Sequence, residues 1–234
     1  MYPDPHSITR IASIGGGPIG GGWTAHFLAR GYDVTTYLHD ASEIDAFRAI
    51  LDTAWISLTG LGLAPGASLD RLIIVHDLEQ AIDGAGFIQE SAPENLALKQ
   101  ALYTQLGDLV PANVVIGSST SGLMMTDIQA HCATPERTVI GHPFNPPYLL
   151  PLVEIVGGER TAPQAVTWAG DFYAIAGKSP LLMKKEIPGF IATRLQEALW
   201  REAALLHKSG FEHTSPFPGR TYSTGFVTGM PRAV

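Results

Sequence analysis

Short apolar runs alternate with longer stretches whose apolar positions recur at helical spacing. Residues 10–14 read as a buried strand. Ile19, Trp23 and Phe27 then fall four apart, on one face of a helix that Gly31 ends. Residues 34–37 predict a second strand. Phe47, Ile50, Leu51 and Trp55 mark a second helix, and 60–66 a loop. Strands are expected at 72–75 and 86–89, a helix over 94–109, and further strands at 114–116, 139–140 and 152–156. A helix over 163–177 and a strand at 181–183 continue the alternation. Such alternation predicts an α/β protein: a mostly parallel sheet with helices on both faces. Pro188-Gly189 then punctuates the chain. Beyond it Ile191, Leu195, Ala198, Leu199, Glu202 and Leu206 recur as an amphipathic helix. We therefore expect one domain over 1–186 and a second segment over 187–234, irregular from about 211.

Composition narrows the function classes. An apolar content of 45% is enough to bury a core. The formal net charge of −7 argues against a nucleic-acid partner, which demands clustered Lys and Arg. The single cysteine, Cys132, rules out an intrachain disulfide framework and reads as a structural thiol. No metal site is expected. Residues 1–9 lack the basic start and apolar run of a signal peptide. No stretch approaches the ~18 apolar residues of a membrane span. A cytoplasmic location without membrane partners is the expectation.

One motif changes the picture. Gly15-Gly16-Gly17-Pro18-Ile19-Gly20 matches G-x-G-x-x-G between a predicted strand and a predicted helix. Gly15 permits the tight turn, Gly17 lets backbone approach a pyrophosphate, and Gly20 allows close helix–strand packing. The helix N-terminus offers N–H groups to phosphate. The fold is thus expected to be a Rossmann-type doubly wound sheet holding a dinucleotide. An acidic residue should end the second strand and accept from the adenosine ribose. Leu38 stands there instead, with Asp40 two residues on. No Lys or Arg lies between Gly31 and Phe47 to suit a 2′-phosphate, so NAD is expected over NADP.

Further chemistry gathers near predicted strand ends: 117–123 carries hydroxyls, 141–146 a histidine and an amide, 152–156 a carboxylate. Oxidation of a secondary alcohol needs a base near neutrality, which suits a carboxylate-supported His. Composition alone does not single out His142 among eight histidines.

These segments, with 87–95 and 186–190, resemble the L-3-hydroxyacyl-CoA dehydrogenase superfamily, and within it the L-carnitine 3-dehydrogenase and lambda-crystallin group. The resemblance covers roughly residues 8–210. It implies NAD-dependent oxidation of a 3-hydroxyl, with L-carnitine as substrate and a 3-hydroxyacyl-CoA as the alternative. A catalytically impaired dinucleotide-binding protein is the other reading. By the resemblance His142 is the catalytic base, Glu154 its partner, Ser121 the hydroxyl on the substrate oxygen, and Asn145 the amide beside the nicotinamide. Gly15, Gly16, Gly17, Pro18, Ile19 and Gly20 bind the cofactor, Glu94 and Lys99 line its path, and Asp40 is the remaining candidate for the ribose. Pro151 replaces a Lys of acyl-CoA members, and Thr193 an active-site Asn. Tyr148 and Trp23 are aromatic faces for a trimethylammonium group, with a core role expected for Trp23. Family members continue past Gly210 into a helical domain that closes the cleft and makes a homodimer; the resemblance here ends after that domain's first helix.

Overall fold

The computed structural model describes residues 1–209. Its strands and α-helices run β1 (Arg10–Ile14), α1 (Pro18–Ala29), β2 (Asp33–Tyr37), α2 (Ile44–Leu61), β3 (Leu72–Val75), α3 (Leu78–Ile82), β4 (Phe87–Glu90), α4 (Leu96–Leu109), β5 (Val115–Ser118), α5 (Met125–Ile128), β6 (Thr138–Pro143), β7 (Leu152–Gly157), α6 (Pro163–Ile175), β8 (Ser179–Leu182) and α7 (Ala192–Lys208). The strands form one sheet in the order β3-β2-β1-β4-β5-β6-β7-β8. Every neighbouring pair is parallel except β6 with β7. This is the doubly wound, mostly parallel sheet that the alternation predicts.

Side-chain alternation along β4 defines the layers. Phe87 and Gln89 point to one face: Phe87 packs on Phe172, and Gln89 accepts from the Tyr173 hydroxyl at 2.6 Å, both on α6. Glu90 points to the other face, where it meets Lys99 of α4. The α6 side holds the main core, with Trp23 and Phe27 of α1 stacked at 5.2 Å beside Phe172 and Tyr173. A second core under α2 gathers Leu38, Phe47, Leu51, Ala54 and Leu58.

The chain lays β1, β2 and β3 outward in one direction, then returns to place β4 on the other side of β1. Connections leaving the carboxyl ends of β1 and β4 diverge, and a crevice opens between them.

Several boundaries move for local reasons. The helix expected from 94 begins at Leu96, because Asn95 caps it: its Oδ1 accepts from Leu98 N. The strand expected at 139–140 extends over Thr138–Pro143, since β6 pairs with β5 on one side and β7 on the other. Gly60 belongs to α2 rather than to the following loop. The short helices α3 and α5 span too few residues to show a period.

The chain divides into two units, one of Met1–Pro188 and one starting at Gly189 that contains α7. On α7, Leu195, Leu199 and Leu206 are exposed. The irregular tail expected from 211 lies outside the described residues. Among those described, no helix is long and apolar enough to cross a membrane.

Candidate active site

The glycine turn joins β1 to α1. Gly15 has φ +109°, and a Cβ there would lie 2.5 Å from the Ser91 carbonyl oxygen. A Cβ on Gly20 would collide with the Gly15 carbonyl. A larger residue at either position would force apart the turn, the helix and the loop after β4. Gly17 caps α1 without a side-chain bond, and the space around its Cα is open. The first turn of α1 thus offers its N–H groups to an anion. A cavity of about 810 Å³ adjoins it. Its walls include Gly15, Gly16, Gly17, Pro18 and Ile19 on one side and Ser91 to Pro93 with Leu98 and Leu102 on the other. The residues present fit a dinucleotide: a tight anion-binding turn opening on an apolar slot.

The remaining cofactor candidates lie in different places. Leu38 is fully buried under the turn, within the α2 core. Asp40 is not among the residues lining the cavity. Its Oδ1 accepts from Ser42 N at 2.8 Å, and those bonds hold its carboxyl below the usual range. With that bond one oxygen of the Asp40 carboxylate closes its own turn, off the cavity wall. Lys99 lies deeper. It does not line the cleft but is buried beneath it, donating to Glu90 Oε1 at 2.6 Å and to the Ala92 carbonyl at 3.1 Å. Glu90 also accepts from Ala92 N and from Ser118 Oγ, each at 2.6 Å. This buried, fully bonded ion pair shapes the loop after β4.

Glu94 sits on that loop and grips the next one. Its Oε1 accepts from Thr120 Oγ1 at 2.6 Å, Ser121 N at 3.1 Å and Gly122 N at 3.2 Å. It thereby fixes the backbone that carries Ser121. Ser119 ties the same two loops from below: it accepts from Trp23 Nε1 at 3.1 Å and Gln89 Nε2 at 2.9 Å, and bonds Ser91 Oγ at 2.8 Å.

His142 and Glu154 face each other across the antiparallel β6–β7 pair. Directly opposed residues put their side chains on the same sheet face. His142 Nδ1 lies 2.8 Å from Glu154 Oε2, with Glu154 fully buried and His142 nearly so. Register rather than loop conformation sets this distance. β6 stands three strands from β1, on the order of 14 Å along the sheet edge. Neither His142 nor Glu154 lines the cavity at the glycine turn.

Ser121 follows β5 and Asn145 follows β6, so both leave the same carboxyl edge as His142, and both are exposed. Thr193 lies in the first turn of α7, in the second unit. Trp23 is fully buried in the core, which removes it as a substrate face. Tyr148 packs, partly buried, against the α2 core. Cys132 is buried and free. Among the described residues no three His, Cys, Asp or Glu side chains group as a metal site.

Sequence reasoning missed Tyr37, His39, Glu43 and Ser91 in the cavity wall. Two of the four, Ser91 and Glu43, carry a local structural signal, though neither signal names a ligand. Ser91 is the first residue past β4 at the crevice, and Asp40-x-x-Glu43 is a capping box.

Residues 10–187 match the family model described as the 3-hydroxyacyl-CoA dehydrogenase NAD binding domain. The chain belongs to the 3-hydroxyacyl-CoA dehydrogenase family. NAD is accordingly the dinucleotide that the crevice is built to hold. Among relatives, the L-carnitine dehydrogenase of Streptomyces coelicolor is 57% identical over 206 residues, covering 88% of this chain and 65% of that protein. The Streptomyces griseus enzyme of the same name is also 57% identical over 206 residues, covering 88% and 62%. A solved NAD+-dependent dismutase, 5-formyl-3-hydroxy-2-methylpyridine 4-carboxylic acid 5-dehydrogenase, superposes with a TM-score of 0.80 at 37% identity, covering 87% of this chain and 66% of that one. This member of the family thus spans less than two thirds of the length of these curated relatives.

Proposed function

We propose that this chain supplies the NAD-binding and proton-abstracting part of an L-carnitine 3-dehydrogenase, which oxidises the 3-hydroxyl of L-carnitine to 3-dehydrocarnitine. The 2.8 Å His142–Glu154 pair carries the reading. With Nδ1–H donating to Glu154, the basic lone pair of the ring is on Nε2. Nε2 takes the hydroxyl proton, and Glu154 stabilises the imidazolium that forms. As the O–H bond breaks, the electron pair closes the C=O bond and expels the carbinol hydrogen as hydride. NAD supplies the acceptor for that hydride. Ser121 Oγ and the Asn145 amide donate to the substrate oxygen and hold it toward His142. Two facts favour carnitine over a 3-hydroxyacyl-CoA: the relatives at 57% identity are named for carnitine, and Pro151 stands where acyl-CoA members carry Lys. The dehydrogenase would act as a homodimer.

The test is to titrate NADH by fluorescence and follow NADH formation with L-carnitine and with a 3-hydroxyacyl-CoA on one sample. We expect NADH binding and preference for carnitine. His142→Ala should cut turnover by about 10²–10⁴-fold and leave the NADH dissociation constant unchanged. Preference for the acyl-CoA, or turnover that survives His142→Ala, overturns the proposal. Binding with no turnover on either substrate favours the dinucleotide-binding protein instead.

A further inference from the structure

We infer that Glu43 recognises the adenosine ribose of NAD, in place of the acidic residue that normally ends the second strand of this fold, and that it sets the preference for NAD over NADP. The inference rests on the NAD site alone and is independent of the substrate. The usual position is closed: Leu38 is fully buried, and a Cβ built on Gly16 would lie 2.5 Å from its Cδ2. Its backbone is fixed as well, N–H to the Val75 carbonyl at 3.0 Å and carbonyl to His76 Nδ1 at 2.9 Å. Leu38 is therefore packed against the underside of the glycine turn and offers nothing to a sugar. Asp40, one oxygen of which accepts from Ser42 N, lies off the cavity wall.

Glu43 does line the wall, beside Tyr37 and His39. The capping box holds it: Oε1 accepts from Asp40 N at 3.0 Å. Its other oxygen, Oε2, lies 3.4 Å from the Cβ position of Gly16. That places a carboxylate oxygen at the corner between the glycine turn and the end of β2, where the ribose next to the pyrophosphate must lie. A glutamate three residues beyond Asp40 thus reaches back to the corner that a shorter side chain on β2 would otherwise fill. The same carboxylate disfavours a 2′-phosphate. No Lys or Arg among the lining residues would compensate that phosphate.

The experiment measures dissociation constants for NADH and NADPH on the whole chain, with Glu43→Gln, Glu43→Ala and Asp40→Asn compared. Glu43→Gln keeps an oxygen that can accept from Asp40 N, so the apo melting temperature should stay close to that of the parent. We expect its NADH/NADPH preference to shrink by about tenfold or more, through weaker NADH and tighter NADPH binding. Glu43→Ala should lose the preference as well, and Asp40→Asn should keep it. A role confined to the capping box would lower the melting temperature and weaken both cofactors in the same ratio. An unchanged ratio in Glu43→Gln, or a ratio that moves with Asp40→Asn instead, overturns the inference.

Discussion

At the scale of single residues, the proposed chemistry rests on one cross-strand contact. Glu154 is buried with its carboxylate on an imidazole, and both its charge and its acceptor oxygen serve that ring. The two can be separated. Glu154→Gln keeps an oxygen for Nδ1–H, so urea unfolding should place it within about 1 kcal/mol of the parent. It loses the negative charge that supports the imidazolium, so kcat for L-carnitine should fall about tenfold or more with KM little changed. A variant that retains full kcat would remove Glu154 from the proposed mechanism. Leu38 shows a different logic. At the end of β2 it contributes packing, and the polar work near the ribose passes to a side chain farther along the chain.

At the scale of elements, the segment between β6 and β7 carries Asn145 and is held in part by a buried lysine. Lys178, just before β8, donates to the carbonyls of Pro147 and Leu150 and lies 4.9 Å from the Trp23 ring centroid. Burial, with Arg30 nearby, brings its pKa down to about 7. In the unfolded chain the amine returns to the ordinary lysine value near 10.4. Between these values the unfolded state binds more protons, so stability rises with pH across about 7 to 10 and is flat below. The slope from this one group is at most about 1.4 kcal/mol per pH unit. Urea unfolding of the parent and Lys178→Met at pH 7 and pH 9 checks it: the parent should gain stability relative to the variant as pH rises. Parallel pH profiles would contradict the assignment.

At the scale of the whole molecule, the crevice is where the sheet changes direction, and filling it joins α1, the end of β2 and the loop after β4. Ligand that binds only the folded chain must stabilise it. At a free concentration of about 100 times Kd, NADH should add about 2.7 kcal/mol. For a domain of this size that corresponds to a rise of roughly 5–10 °C in melting temperature. Scanning calorimetry with and without NADH measures it directly. A midpoint that saturating NADH leaves in place would count against the crevice as the cofactor site.

The sequence by itself determined the α/β alternation, the glycine turn and its dinucleotide. The turn's signal is local: a strand, a turn with no room for a Cβ at Gly15 or Gly20, and a helix N-terminus lie within twenty residues of one another. It also marked Leu38 as a departure, since an apolar residue at a ribose position is visible without coordinates. Tertiary structure decided what depends on distant segments. The pairing of His142 with Glu154 follows from the antiparallel register of β6 and β7, which neither strand encodes alone. Lys99 looked like a cleft residue, yet alternation along β4 turns Glu90 toward it and draws its amine into the interior. Asp40 stood two residues past the expected ribose position, and the fold bonds one of its oxygens to Ser42 N, off the cavity wall. Glu43 carried no ribose signal in sequence, because its position at the cavity corner depends on how the turn after β2 folds back toward the glycine turn.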